Sequence, residues 1–305
     1  MLSKTPFPQC LHCLFSILVF CAAFIIFNIP SATAHHPTSG FALSSAAPQQ
    51  LLELENSWAR YPSALDPAGA GRWQQVRLRV EQILGERASV ALSLPYASLE
   101  SATQSTSGLG DIEISGKLSL WQAAESIDHL SVGLGLELPT GDAHSGVGGG
   151  HMELGPFISY QTQLHSRWVA FGRVNALLLL DAHHHHHGDE GLSAGSLIAP
   201  HEDREAQLSL GLVFNERSWY LSGALESGLL FPDKFELGPQ IVNAEIGFRP
   251  SQILRFALSY LHPFAGQQRI DGQLRLGVSY WFGAAPAVIS DSPPAVTSES
   301  PPAVN

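Results

Sequence analysis

The sequence predicts an all-β fold, a single antiparallel twelve-stranded transmembrane β-barrel. Three observations carry this. Apolar residues recur with period two along most of the chain after residue 50. The connections between these segments are alternately tight and long. Charge is confined to the less apolar face of each segment. The chain has 305 residues, 28 Gly, 20 Pro, 45% hydrophobic and 14% charged residues, with a formal net charge of −11. That is too apolar for a disordered protein and too acidic for a nucleic-acid partner.

Residues 1–34 read as a secretory signal. Lys4 is their only formal charge, 14–27 is an apolar run, and Ala32-Thr33-Ala34 supplies a small-x-small cleavage site. The mature chain would then begin at His35. An uncleaved anchor is the competing reading, and a lipoprotein at Cys21 is disfavoured by the bulk of Phe20. Cys10, Cys13 and Cys21 all lie in this segment, so cleavage leaves no thiol for a disulfide, a Cys-ligated metal or a Cys nucleophile. Residues 35–50 are short and polar and read as a periplasmic lead-in.

Residues 51–282 carry the barrel. Twelve alternating segments are expected at about 51–59, 73–83, 88–97, 110–121, 129–139, 152–164, 167–180, 205–215, 218–230, 238–249, 253–263 and 273–282. Each is near the ~9–11 residues a tilted strand needs to cross a bilayer. Connections after even-numbered segments are tight: 85–87, 123–128, 165–166, 216–217 and 250–252. Those after odd-numbered segments are longer: 60–72, 98–109, 140–151, 181–204, 231–237 and 264–272. Tight turns on one rim and long loops on the other match the bacterial outer membrane, with the turns and both chain ends in the periplasm. Residues 283–305 repeat Ser-Pro-Pro-Ala-Val and read as a disordered tail.

Charges facing lipid cost several kcal/mol, whereas charges facing a wet lumen keep their hydration. The Leu/Val/Ile face is therefore assigned to lipid. The lumen is assigned Arg77, Arg79, Glu81, Glu113, Lys117, Glu137, Arg173, Glu245, Arg255 and Arg275. Aromatics near segment ends are read as interfacial girdles: Trp58, Trp73, Tyr96, Trp121, Trp168, Trp219, Tyr260, Tyr280 and Phe282. A soluble β-sandwich burying the Leu/Val face is the structural alternative.

Gly108–Leu120 (GLGDIEISGKLSL), Gly135–Asp142 (GLELPTGD), the glycine-rich 146–150, Pro156–Tyr160 (PFISY) and Leu92–Tyr96 (LSLPY) carry a family resemblance. They resemble outer-membrane proteins grouped under the MetA pathway of phenol degradation, and Ala34–Gly40 is similar to an opening found in some of them. The resemblance implies an outer-membrane barrel carrying small molecules, with no defined cargo and no catalytic residues. Tyr280-Trp281-Phe282 looks like a signature read by the barrel-assembly machinery, although further residues follow it.

The run His183, His184, His185, His186 and His187, with His201 in the same loop, offers imidazoles for a divalent metal (zinc, copper or nickel). Adjacent histidines on an extended chain point to opposite sides, so the run defines no single geometry. No phosphate loop, G-x-S-x-G elbow or H-E-x-x-H motif occurs. His201 with Ser193 or Ser196 is the nearest approach to a hydrolytic site, and no enzymatic activity is expected. The sequence thus points to a channel or transporter passing small molecules passively through a mixed-charge lumen, with outer-membrane lipid, the assembly machinery and a small solute as partners. The alternative is a surface metal-binding barrel with a plugged lumen, working through loop 181–204.

Overall fold

The computed structural model describes residues 45–61, 71–101, 105–123, 127–180, 204–230, 236–266 and 270–282. The signal, most of the lead-in, the tail, the histidine run and His201 lie outside them. Thirteen strand segments follow in order: β1 (Leu51–Tyr61), β2 (Gly71–Leu84), β3 (Ala88–Glu100), β4 (Ser105–Leu109), β5 (Ile112–Gln122), β6 (His129–Leu138), β7 (Glu153–His165), β8 (Trp168–Leu179), β9 (Arg204–Asn215), β10 (Trp219–Leu230), β11 (Glu236–Phe248), β12 (Leu254–Ala265) and β13 (Gly272–Trp281). Every neighbouring pair is antiparallel, and β1 pairs with both β2 and β13, so the sheet closes on itself. Closure matters because an unpaired backbone group in hydrocarbon costs several kcal/mol.

The wall has twelve staves because β4 and β5 share one. Both pair with β3, β5 along 88–93 and β4 along 96–100. They part at Gly110-Asp111, opposite Pro95, which has no N–H to give the ladder. The Gly110 N–H bridges the break to the Pro95 carbonyl at 3.0 Å. Residues 98–109, expected as a loop, are thus mostly strand. Their Ser/Thr composition carries little apolar signal.

The outer face is apolar. Leu210, Leu225, Ile158, Ile246, Leu258 and Leu276 project outward from six different strands and are each about half exposed. Their cross-strand partners and neighbours keep the period-two alternation, so the inner face receives the charged and hydroxyl side chains. Trp121, Trp168, Trp219 and Tyr280 sit outward near the tight-turn end, and Trp58 and Tyr260 near the opposite end. These form the expected girdles. Trp73 departs from the expectation: it is 2% exposed and points inward. Its position in β2 shares parity with Arg77 and Arg79, and parity overrides aromatic character.

The tight turn after β2 uses Gly85 at φ 69°, a left-handed conformation that favours glycine. Three inward glycines serve another purpose. Phe157 lies opposite Gly133, Phe171 opposite Gly211 and Tyr220 opposite Gly247. A methyl group on any of the three glycines would fall inside the facing ring. Each ring therefore lies flat on the wall in a slot only glycine leaves open.

Candidate functional site: a charged lumen

The inner space has three levels. At the long-loop end, Ala59, Trp73, Ala97 and Leu99 form an apolar patch covered by Val147 and Ile270 from two loops. Val147 belongs to the loop between β6 and β7, which folds inward as a strap. The glycine-rich motifs explain its path. Asp111 accepts the Gly141 N–H at 2.8 Å and also the Gly149 N–H. The Ile112 N–H donates to the Thr140 hydroxyl, which donates to the Gly110 carbonyl. Gly141 and Gly148 pass so closely that a Cβ on either would lie 2.7 Å from backbone of the other. The strap thereby covers the β4 edge where β4 and β5 part.

The waist carries the charges. Arg77 Nη2 donates to Glu55 at 3.0 Å, and Arg79 Nη2 to Glu81 at 3.2 Å. Arg173 stacks its guanidinium 3.9 Å from the centre of the Phe157 ring. Arg79, Glu81, Glu113, Lys117 and Arg173, reached from three strands, border one small cavity. Above it, Glu137 lies directly across from both Glu113 and Glu153. Like charges so placed repel, and His151 answers them with a 2.8 Å contact from Nε2 to Glu153. Arg275 donates to Gln273 at 2.8 Å.

A segment of the lead-in narrows the tight-turn end. Residues 45–50 are buried inside the barrel mouth. Lys117 Nζ donates to the carbonyls of Ser45 and Ala47 at 2.7 and 3.0 Å and contacts Glu81 at 3.1 Å. Glu81 also accepts the Gln49 N–H at 3.0 Å and the Ser89 hydroxyl at 2.8 Å. Gln161 accepts from Ser45 and the Ala46 N–H, while the Ser131 hydroxyl donates to the Ala46 carbonyl. Beside the plug, Ile127 from a turn joins Val169, Val213, Tyr220 and Ala257 in an apolar cluster. The Tyr220 hydroxyl donates to Glu245, and Arg255 Nη2 donates to Ser279 at 3.0 Å and lies 3.8 Å from Glu53.

Of the ten charged residues assigned to the lumen from the sequence, the structure gathers Arg79, Glu81, Glu113, Lys117 and Arg173 round one cavity. It sets Arg77 against Glu55 beside them. Glu245 and Arg255 belong to the tight-turn end, and Glu137 to the upper waist. Sequence reasoning missed Ser45–Gln50, Asp111, Gln161 and Tyr220. Only Asp111 had a legible signal, its place between two glycine-rich motifs. Among the described residues, no three His, Cys, Asp or Glu side chains are grouped to hold a metal.

Solved outer-membrane barrels share this architecture. An outer membrane channel from Pseudomonas putida F1 is 14% identical, with a TM-score of 0.55 over 76% of this chain and 95% of that one. The NanC porin is 9% identical at a TM-score of 0.52, over 76% and 100%. The KdgM porin is 8% identical at 0.50, over 76% and 99%. At such identities the likeness concerns the fold. No curated protein sequence matches the chain. Residues 65–282 match the family described as "Putative MetA-pathway of phenol degradation". The β4–β5 break and the strap across it lie within the matched residues, and the chain belongs to that family.

Proposed function

We propose that the protein is a passive outer-membrane channel for small molecules, with the charged waist as its selective part. The observation that carries this is the division of the wall: aliphatic side chains outside, and paired ions of both signs inside at Arg77–Glu55, Arg79–Glu81 and Lys117–Glu81. A closed cylinder with ions along its inner wall is a route for water and solute through a bilayer. Export would follow cleavage after Ala34, and insertion would use the assembly machinery and outer-membrane lipid. The segment 45–50 then sits at the periplasmic exit and narrows it. No observation favours the metal-binding alternative.

Conductance in planar bilayers tests the reading. The intact protein is expected to pass small, discrete currents, and a variant lacking residues 45–50 larger ones. A protein that is folded by heat-modifiable gel migration, yet passes no current even without 45–50, overturns it.

A further inference from the structure

We propose that residues 45–50 are a gate rather than a fixed constriction, anchored at Gln50 and latched shut by Lys117. The proposal rests on the channel reading above and adds a moving part to it. The segment is joined to the wall mainly through its backbone. Lys117 and Ser131 donate to the Ser45, Ala46 and Ala47 carbonyls, and the Ala46 and Gln49 N–H groups donate to Gln161 and Glu81. Ser45 adds its hydroxyl. Bonds of this kind are readily exchanged for bonds to water. The sequence Ser45-Ala-Ala-Pro-Gln-Gln50 holds no aromatic or branched aliphatic side chain. No large apolar surface therefore has to be rehydrated when the segment leaves.

The wall keeps its own pairing without the segment. Lys117 retains Glu81 at 3.1 Å, and Glu81 retains Arg79 at 3.2 Å and Ser89 at 2.8 Å. Gln161 retains the Ile127 carbonyl at 2.8 Å. Departure thus strands no charge, and a stranded charge is what makes breaking a buried ionic contact costly. The downstream end stays in place. The Phe282 N–H donates to the Gln50 carbonyl at 3.3 Å, and Leu51 already faces Trp281 and Glu81 in the wall. A segment fixed at one end, with its polar groups satisfied in either position, is a two-state element. Lys117 biases it towards closure. Its ammonium holds two carbonyls, those of Ser45 and Ala47, at 2.7 and 3.0 Å. Charge-assisted bonds are roughly twice as strong as neutral ones. Glu81 holds only the Gln49 N–H, next to the anchor.

Two measurements on the full-length protein test this. Thiol labelling with a membrane-impermeant maleimide reads opening without any current, in a chain whose Cys10, Cys13 and Cys21 are changed to serine. Ala47, 3% exposed, is replaced in Ala47→Cys, which is expected to react slowly. Adding Lys117→Met is expected to speed the reaction at least about tenfold, through loss of the two carbonyl bonds. That variant leaves Arg79 as the counter-ion of Glu81. Ala97→Cys, buried at the opposite end, is expected to keep its rate. Single-channel records are expected to show brief openings in the wild type and a larger open fraction in Lys117→Met. Heat-modifiable migration checks each variant. If Lys117→Met fails it, Ser131→Ala removes one bond and no charge, and is expected to speed labelling at 47 about threefold or more. Faster labelling at 47 alone, in a barrel that passes no current with or without 45–50, upholds the gate and sinks the channel reading. Labelling at 47 that these variants leave unchanged, or that rises equally at 97, overturns the gate. Currents that grow only when 45–50 is deleted then leave the channel standing with a fixed constriction.

Discussion

Placing a methyl group on Gly247 tests how the inner wall is packed. In Gly247→Ala the new Cβ falls within the Tyr220 ring and 2.5 Å from its hydroxyl oxygen. Tyr220 is 1% exposed, donates to Glu245 and has the Arg249 guanidinium 4.8 Å from its ring centre. The ring cannot slide along the wall without leaving that carboxylate. Losing a hydrogen bond to a charged acceptor costs about 1.5–3 kcal/mol. Forcing a packed ring off its rotamer adds about 1–3 kcal/mol. The expected destabilisation is therefore about 2.5–6 kcal/mol if the ring is expelled. Gly223→Ala is the control, because a Cβ there meets nothing within 4 Å. It is expected to change stability by less than about 1 kcal/mol. Urea unfolding of the micelle-bound protein, followed by tryptophan fluorescence, gives both values. A double variant, Tyr220→Ala with Gly247→Ala, should cost less than the sum of the single changes, since the methyl then has no ring to displace. Equal midpoints for Gly247→Ala and Gly223→Ala, or strict additivity in the double variant, refute the slot.

Three further outcomes follow from the same geometry. Asp111→Ala leaves the Gly141 and Gly149 N–H groups without their acceptor, at about 1–3 kcal/mol each if they stay buried, and limited proteolysis should then cut within 139–152. Hydrogen bonding to Glu153 holds the His151 imidazole above its ordinary value of 6.5; because the folded value is the higher one, this contact contributes fully below pH 6.5 and is lost as pH rises through the folded value, so protease resistance of the strap should fall from pH 6 to pH 8 in the wild type and show no such step in His151→Gln. Leu225→Arg places a charge mid-strand on the outer face, where it should cost about 2–4 kcal/mol in a bilayer; refolding yield into lipid vesicles measures it, and an unchanged yield contradicts the lipid assignment of that face.

The strands, their inward and outward faces and the alternation of tight and long connections were legible because they depend on the identity of side chains two residues apart. A residue such as Glu81 or Leu210 declares its face by parity alone, and parity survives closure of the sheet. The ten charges assigned to the lumen could be named for the same reason. Their partners could not. Arg77 meets Glu55 through the β1–β2 register and Lys117 meets Glu81 across the interior from β5 to β2, and neither pairing is encoded in local sequence. The aromatic girdles were legible at Trp168 and Trp219, whereas Trp73 was misassigned because aromatic character was weighed above parity.

Only the tertiary structure decided what narrows the barrel. Residues 45–50 bind mainly through backbone carbonyls and N–H groups that every residue owns, so nothing in Ser45-Ala-Ala-Pro-Gln-Gln50 announces that Lys117, Glu81 and Gln161 wait for them. Val147 and Ile127 are single apolar residues in polar connections, and their inward course depends on where a closed wall leaves apolar surface uncovered. Sequence alone set which rows meet lipid and which meet water, since that is a transfer free energy of individual side chains. How far the watery interior stays open is a matter of volume and long-range pairing, and those exist only once the first and last strands have met.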